Sequence, residues 1–270
     1  MNQVRAADAP SNGYWPGGTL AILARVAVPV LLLVLWQVAV SLEWVPRTLI
    51  ASPVEVLVDL GRLVRNGTIW EHACASLARL IEGFVLGAAV GATAGAWIGL
   101  SRRVQSVLEP TITVLAPIPP TAWIPLLIIL FGIGEASKVW LIAIGVFFVV
   151  AGNTASGIRN VDSRFVEVAR ICGKQGSEVL VHVLLPAAMP AILNGLRLGL
   201  GLSWILLIAA ELIAANKGLG WFIFDARNFA RPDDMMAGMV CVGCLGALTD
   251  RGMLAIQHRA LRWQASFSGD

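Results

Sequence analysis

Residues 167–173, Glu-Val-Ala-Arg-Ile-Cys-Gly, and residues 183–186, Val-Leu-Leu-Pro, bracket a polar insert between two long apolar runs of the chain. The insert carries both charge signs and is rich in helix-forming residues. Asp162 or Ser163 can cap a short helix running through Ala169, and Gly173 can supply its left-handed stop. Ser177 can cap a second short helix. Pro186 then falls at the start of the following apolar segment, where a missing backbone N–H costs nothing. A polar insert of this size inside a hydrophobic chain lies in water at a membrane face, where it can touch a soluble partner.

The composition supports the membrane reading. The chain has 270 residues, 57% hydrophobic and only 14% charged, with a mean hydropathy of +0.76. Soluble domains carry roughly 25% charged residues, so this chain has too little polar surface for a soluble monomer. A net charge of +3 gives no sign of nucleic-acid binding. Cys241 and Cys244 form a C-x-x-C inside an apolar run with no second Cys or His pair nearby. They read as packing residues, not as a zinc or redox site. The polar N-terminus lacks a signal-peptide pattern and reads as a loose tail.

A membrane-crossing helix needs about 20 apolar residues. Six segments qualify: residues 20–42, with Arg25 able to snorkel to the interface, then 80–100, 112–133, 139–156, 187–215 and 235–256. The third contains Pro117, Pro119, Pro120 and Pro125 and is therefore bent or broken. The resulting all-α division is a tail at 1–19, a membrane domain at 20–256 holding the polar loop 157–186, and a tail at 257–270. Arg102, Arg103, Arg159, Arg164, Arg170, Lys174, Arg251, Arg259 and Arg262 fall on one side of this topology. By the positive-inside rule that side is the cytoplasm, with both termini on it. On the opposite side, residues 54–64 form an amphipathic helix with Val54, Leu57, Val58, Leu60 and Leu63 as its apolar positions.

Gly83, Gly87, Gly91, Gly95 and Gly99 recur every fourth residue along the second segment. They leave a groove into which another helix backbone can approach closely, in the same chain or in a second copy. Arg197 is the one charge deep in a segment, ~16 Å beyond Pro186 at about 1.5 Å per residue. A central charge needs a partner or a wet cavity. Asp250, at similar depth in the last segment, is the candidate acid for a structural pair, and the other reading is attraction of an anion in a path. No G-x-x-x-x-G-K-[ST] is present to cradle ATP phosphates, and no metal cluster or Ser-His-Asp arrangement is evident. The chain therefore reads as neither an enzyme nor a cofactor protein.

The Glu167–Ala169–Gly173–Leu185-Pro186 spacing resembles the "EAA" loop of ABC-transporter permeases, with Val168 and Val183 as mild departures from the family pattern. The resemblance covers nearly the whole chain beyond the N-terminal tail. Residues 117–126 and 131–135 look like the third span of sulfonate, taurine and nitrate permeases. Residues 157–162, the pair His182-Val183 and residues 195–211 are similar to the aliphatic sulfonate permeases. The resemblance implies coupling to an ATPase through Glu167, Ala169, Gly173, Leu185 and Pro186. It implies a translocation path touching Pro119, Trp123, Arg197 and Glu211, the last also as a gating or binding-protein contact. It implies a second permease copy, two ATPase subunits, a periplasmic substrate-binding protein, lipid around the spans, and a place in the bacterial inner membrane. The expected function is inward transport of aliphatic sulfonates. Taurine or nitrate is the alternative cargo, and a stand-alone ion-coupled transporter, which would show inverted repeats, is the rival of another class.

Overall fold

The computed structural model describes residues 19–46 and 48–263. All regular structure among them is helical. In order the helices are α1 (Thr19–Ser41), α2 (Pro53–Arg65), α3 (Thr68–Leu100), α4 (Arg102–Leu115), α5 (Ile124–Phe131), α6 (Glu135–Arg159), α7 (Ser163–Ile171), α8 (Ser177–Val179), α9 (Leu185–Ala214), α10 (Leu219–Asn228) and α11 (Pro232–Ala260). Helices α3, α6, α9 and α11 are each long and apolar enough to cross a membrane. Helix α4 and the 3₁₀ turn at Pro120–Trp123 leading into α5 are long and apolar enough to cross only when taken together, and they are bent by 88° at the break between them. Pro117, Pro119 and Pro120 explain the break. Three ring nitrogens without hydrogens remove the ladder at one place.

The six-segment expectation thus meets four continuous helices and one broken pair. The remaining segment is α1, whose side chains are described from Val26 onward. The N-terminal tail up to residue 18, the snorkelling of Arg25 and the capping by Ser177 lie outside what is described. The second segment begins twelve residues earlier than its apolar run, because α3 starts at Thr68 with a polar turn.

Helix α6 is the centre of the bundle, the most deeply buried of the four continuous crossings. It lies between α3 and α9. The glycine groove of α3 faces α6 of the same chain, which resolves the open choice of neighbour. A Cβ placed on Gly83 would stand 2.6 Å from Ile142 Cβ, and one on Gly91 2.8 Å from the Phe147 carbonyl oxygen. At Gly87 it would strike the Ala143 carbonyl. On its other side α6 meets α9 through small residues again: Gly157 against Ala191, and Gly195 against Asn153. Ile142, Val146 and Val150 are completely enclosed between these helices with Leu206 and Leu207.

Helix α2 begins with a capping box. Ser52 Oγ accepts from the Glu55 N–H at 3.3 Å, and Glu55 Oε2 accepts from the Ser52 N–H at 2.7 Å. Its two sides differ from expectation. Val56 and Leu63 turn inward with Leu219, Phe222 and Ala237, while Val54, Leu57 and Val58 remain exposed.

The glycine groove generates a prediction. Gly87→Val puts side-chain carbon where the α6 backbone runs, and backbone cannot be repacked. Overpacking costs typically about 1–3 kcal/mol where side chains can adjust, and more is expected here. Membrane abundance of Gly87→Val should fall sharply. Gly152→Val, at a site with open space around it, should leave abundance near wild type.

Candidate functional site

The polar loop folds as its caps dictate. Asp162 Oδ1 accepts from the Arg164 N–H at 2.9 Å and starts α7. Gly173 sits at φ +82°, and the Lys174 N–H closes on the Ala169 carbonyl at 3.0 Å. The left-handed stop is therefore where the sequence places it. Ala169 is buried, whereas Glu167 and Gly173 are exposed. Phe165, Val168 and Ile171 are exposed too, Ile171 by 85%. An apolar stripe edged by Arg164, Glu167 and Arg170 on a short helix is unusual on a free surface.

The second half of the loop departs from expectation. Only Ser177–Val179 is α-helical. The chain then runs through a π-helical turn, Leu180–Leu184, straight into α9. The Leu185 N–H reaches back to the Leu180 carbonyl. Pro186 has no N–H to offer, and its ring opposes the carbonyl four residues earlier, so the turn widens to admit it. There is consequently one separate short helix, α7, and a second arm continuous with the span. Leu185 and Pro186 are half-buried at that junction. Between α7 and the start of α9 lies a cleft of about 830 Å³, lined by Phe165, Ala169, Cys172, His182, Pro186, Pro190 and Trp263.

The path candidates do not form one cluster. Pro119 is exposed at the bend. Trp123 lines a cavity of about 270 Å³ with Leu86, Val90, Leu115, Trp140, Phe147 and Phe148, and its indole Nε1 is enclosed without a partner. Arg197 is paired: Nε donates to Asp250 Oδ1 at 2.7 Å and Nη2 to Oδ2 at 3.0 Å. That two-pronged geometry is the strong form of the contact. Yet the side chains remain 40% and 45% exposed.

Residues 83–261 match the family of binding-protein-dependent transport system inner membrane components. The chain belongs to that family. It is 37% identical over 242 residues to a Bacillus subtilis (strain 168) permease protein named for aliphatic sulfonates transport, covering 90% of this chain and 88% of the relative. It is 36% identical over 254 residues to the taurine transport system permease protein of Escherichia coli (strain K12), covering 92% of each. Its fold resembles a chain of the inward-facing MetNI methionine ABC transporter, with a TM-score of 0.57 at 19% identity, covering 71% of this chain and 94% of the other. The protein is thus an ABC-transporter permease subunit of multi-pass membrane type. Such permeases work with an ATPase and a binding protein.

The permease also contains a constellation that sequence reasoning missed. Glu211, taken as a gating or binding-protein contact, is 0% exposed. Its carboxylate is enclosed by polar partners from α3 and from the start of α10. Arg79 Nη1 donates to Glu211 Oε1 at 2.6 Å and to the Lys217 carbonyl at 2.6 Å. Ser76 Oγ donates to Glu211 and itself accepts from the Leu219 N–H at 2.8 Å. The Gly220 N–H donates to Glu211 Oε2 at 2.8 Å. Arg79 also grips Glu135, whose other partner is Lys138 at 3.0 Å. His72, stacked on Trp221 at 5.4 Å, accepts from the Gly218 N–H at 3.1 Å. Gly218 holds φ +131°, which lets the chain turn tightly from α9 into α10. The missed signal was the register: Arg79 is four residues before Gly83, on the stripe that faces α6.

Removing one member of a buried charge pair costs about 3–5 kcal/mol. Arg79→Ala should therefore lower the thermal unfolding midpoint in detergent more than Glu211→Gln does. The amide keeps its shape and leaves Arg79 paired to Glu135. Equal shifts for the two variants would show that the guanidinium is not the hub.

Proposed function

We propose that this chain is the permease of an importer for aliphatic sulfonates, working as a homodimer with both termini cytoplasmic. Two ATPase subunits bind the α7 side, and a periplasmic binding protein delivers cargo to the opposite face. The carrying observation is similarity over 90% of the chain to the permease named for aliphatic sulfonates. The 36% identity to the taurine permease keeps an aminosulfonate as the second reading, and both share a permanently charged sulfonate. The rival ion-coupled transporter is set aside by family membership.

Coupling runs through Glu167, Ala169, Gly173, Leu185 and Pro186. The exposed Phe165, Val168 and Ile171 supply the apolar contact, and Glu167 with its neighbouring arginines supplies register. Because the second arm is continuous with α9, a push on the loop tilts that helix as a lever. The path lies between the two copies, along the bent span and α9. Pro119 marks the flexible point, and Trp123 presents an apolar, aromatic-walled cavity suited to an alkyl tail. Arg197 and Asp250, too exposed to face hydrocarbon, look toward water or toward the second copy.

Gly173→Val forces a β-branched residue into the left-handed region, a cost of about 1–2 kcal/mol. ATPase activity stimulated by substrate and binding protein should drop roughly tenfold while membrane abundance holds. Normal stimulation would mean that the loop does not dock. Competition assays on the partner binding protein with alkanesulfonates, taurine and nitrate decide the cargo; preference for nitrate would overturn the sulfonate reading.

The Arg197–Asp250 pair is tested separately. Arg197→Gln strands the acid and should reduce abundance, and adding Asp250→Asn should restore it. Wild-type abundance of the single variant with uptake lost would assign Arg197 to the anion path instead.

A further inference from the structure

Helix α2 carries one buried charge. Asp59 is 6% exposed and faces α11, where Asp234 is 3% exposed. One carboxylate oxygen from each of Asp59, Asp233 and Asp234 lies within 4.8 Å of the others. The cations nearby are already engaged. Arg62 holds Asp59 Oδ1 and donates to Asp234 Oδ1 at 2.9 Å. Arg231 donates to Asp234 Oδ2 and to Asp225 Oδ2, both at 2.7 Å. The remaining charges on the surrounding elements turn elsewhere. Glu55 serves the α2 cap, Glu71 on α3 pairs with Lys217, and Arg65 and Glu43 are exposed. Asp59 Oδ2 is left fully enclosed with no donor.

An enclosed carboxylate oxygen beside a second carboxylate is unfavourable twice over, by desolvation and by like-charge repulsion. One proton removes both costs, because it makes Asp59 a donor to its neighbour. We propose that Asp59 and Asp234 form a proton-binding site that clasps α2 to α11, tight with the proton bound and loose without it. A divalent cation is a poorer occupant. Both Asp234 oxygens and one Asp59 oxygen already face guanidinium groups, and a metal would have to displace them.

Burial, first, and then the Asp234 carboxylate push Asp59 up to about 6, against the opposing pull of Arg62. The folded value lies above the ordinary one near 3.8. The clasp's stability is therefore fully present in acid and is lost as pH rises from about 4 to about 6. Helix α2 packs chiefly on α11, more weakly on α3 and α1, so loosening the clasp frees the α1–α2 arm. On the orientation proposed above the site reads extracytoplasmic pH; that meaning rests on the proposed topology, whereas the proton site itself does not.

The test uses the full chain in lipid nanodiscs. Infrared difference spectra between wild type and Asp59→Asn should show a protonated-carboxyl band that belongs to Asp59 and fades as pH passes about 6. Hydrogen exchange in α2, corrected for intrinsic chemistry, should accelerate roughly 10- to 100-fold in wild type between about pH 4 and pH 7. In Asp59→Asn it should stay flat and protected. Absence of the band in wild type, or the same pH dependence in both proteins, overturns the proposal. So does protection at neutral pH that requires calcium or magnesium and disappears with a chelator. If Asp59→Asn does not fold, the carboxyl band of the wild-type protein against pH still decides the question. Failure of the transport reading would leave each of these results unchanged.

Discussion

The contact between α3 and α6 sets the rest of the molecule. In lipid no hydrophobic force drives two apolar helices together, since a lipid tail is as apolar as a leucine. Association rests on van der Waals contact, and contact depends on how closely the backbones approach. Five glycines on one stripe of α3 remove the side chains that would hold α6 away, so α6 rests on α3 backbone almost along its length. A helix pinned this closely cannot slide by a residue without driving a Cβ into a carbonyl. Its other side then becomes a fixed surface, and α9 packs there through Gly157 and Gly195. The three-helix slab is rigid because its register is decided by backbone shape and not by flexible side chains.

A rigid slab gives meaning to what lies at its two ends. At one end Glu211 is tied to α3 through Arg79 and Ser76, and to the start of α10 through Gly220. This knot joins three elements with every oxygen of the carboxylate satisfied, which is the condition under which a buried charge is tolerable. At the other end the π-turn before Pro186 makes the polar arm one continuous body with α9. The same helix is therefore knotted at one terminus and continuous with the polar loop at the other. On the proposed coupling, motion imposed at the loop would be carried along α9 as tilt, because the knot resists translation.

The sequence made the fold legible where periodicity and special residues carried it. The glycine stripe, the proline break in the third crossing, the Asp162 cap and the Gly173 stop all follow from local chemistry. The Arg197–Asp250 pair was legible because Arg197 stood alone in its apolar run and an acid lay at comparable depth in the last one. What escaped was non-local. Arg79 and Glu135 drew no reading as partners, since nothing in the chain places residue 79 beside residues 135 and 211. The apolar positions of residues 54–64 gave no sign of Asp59, and only packing shows that α2 turns that residue inward. The second arm of the loop was only half legible, because a proline signals a helix start without saying whether the preceding turn continues into it.

Two arginines in the membrane-crossing helices meet the same physical demand in opposite ways. Arg79 is 6% exposed and is held by two carboxylates and a carbonyl. Its charge is spent on structure, and no field remains for a passing ion. Arg197 has one carboxylate partner and keeps 40% of its side chain open. A guanidinium with five donors uses two on Asp250. Its remaining donors must meet water, a second protein copy or an anion, since hydrocarbon offers no acceptor. Ion pairing and anion attraction are for this reason not exclusive at Arg197. The pair lowers the cost of holding the charge in the membrane, and on the proposed transport reading the open donors are the groups an anionic cargo would meet. Glu211 offers no such duality, because its oxygens are enclosed. Of the two charges on α9, Arg197 keeps part of its side chain open and Glu211 is enclosed.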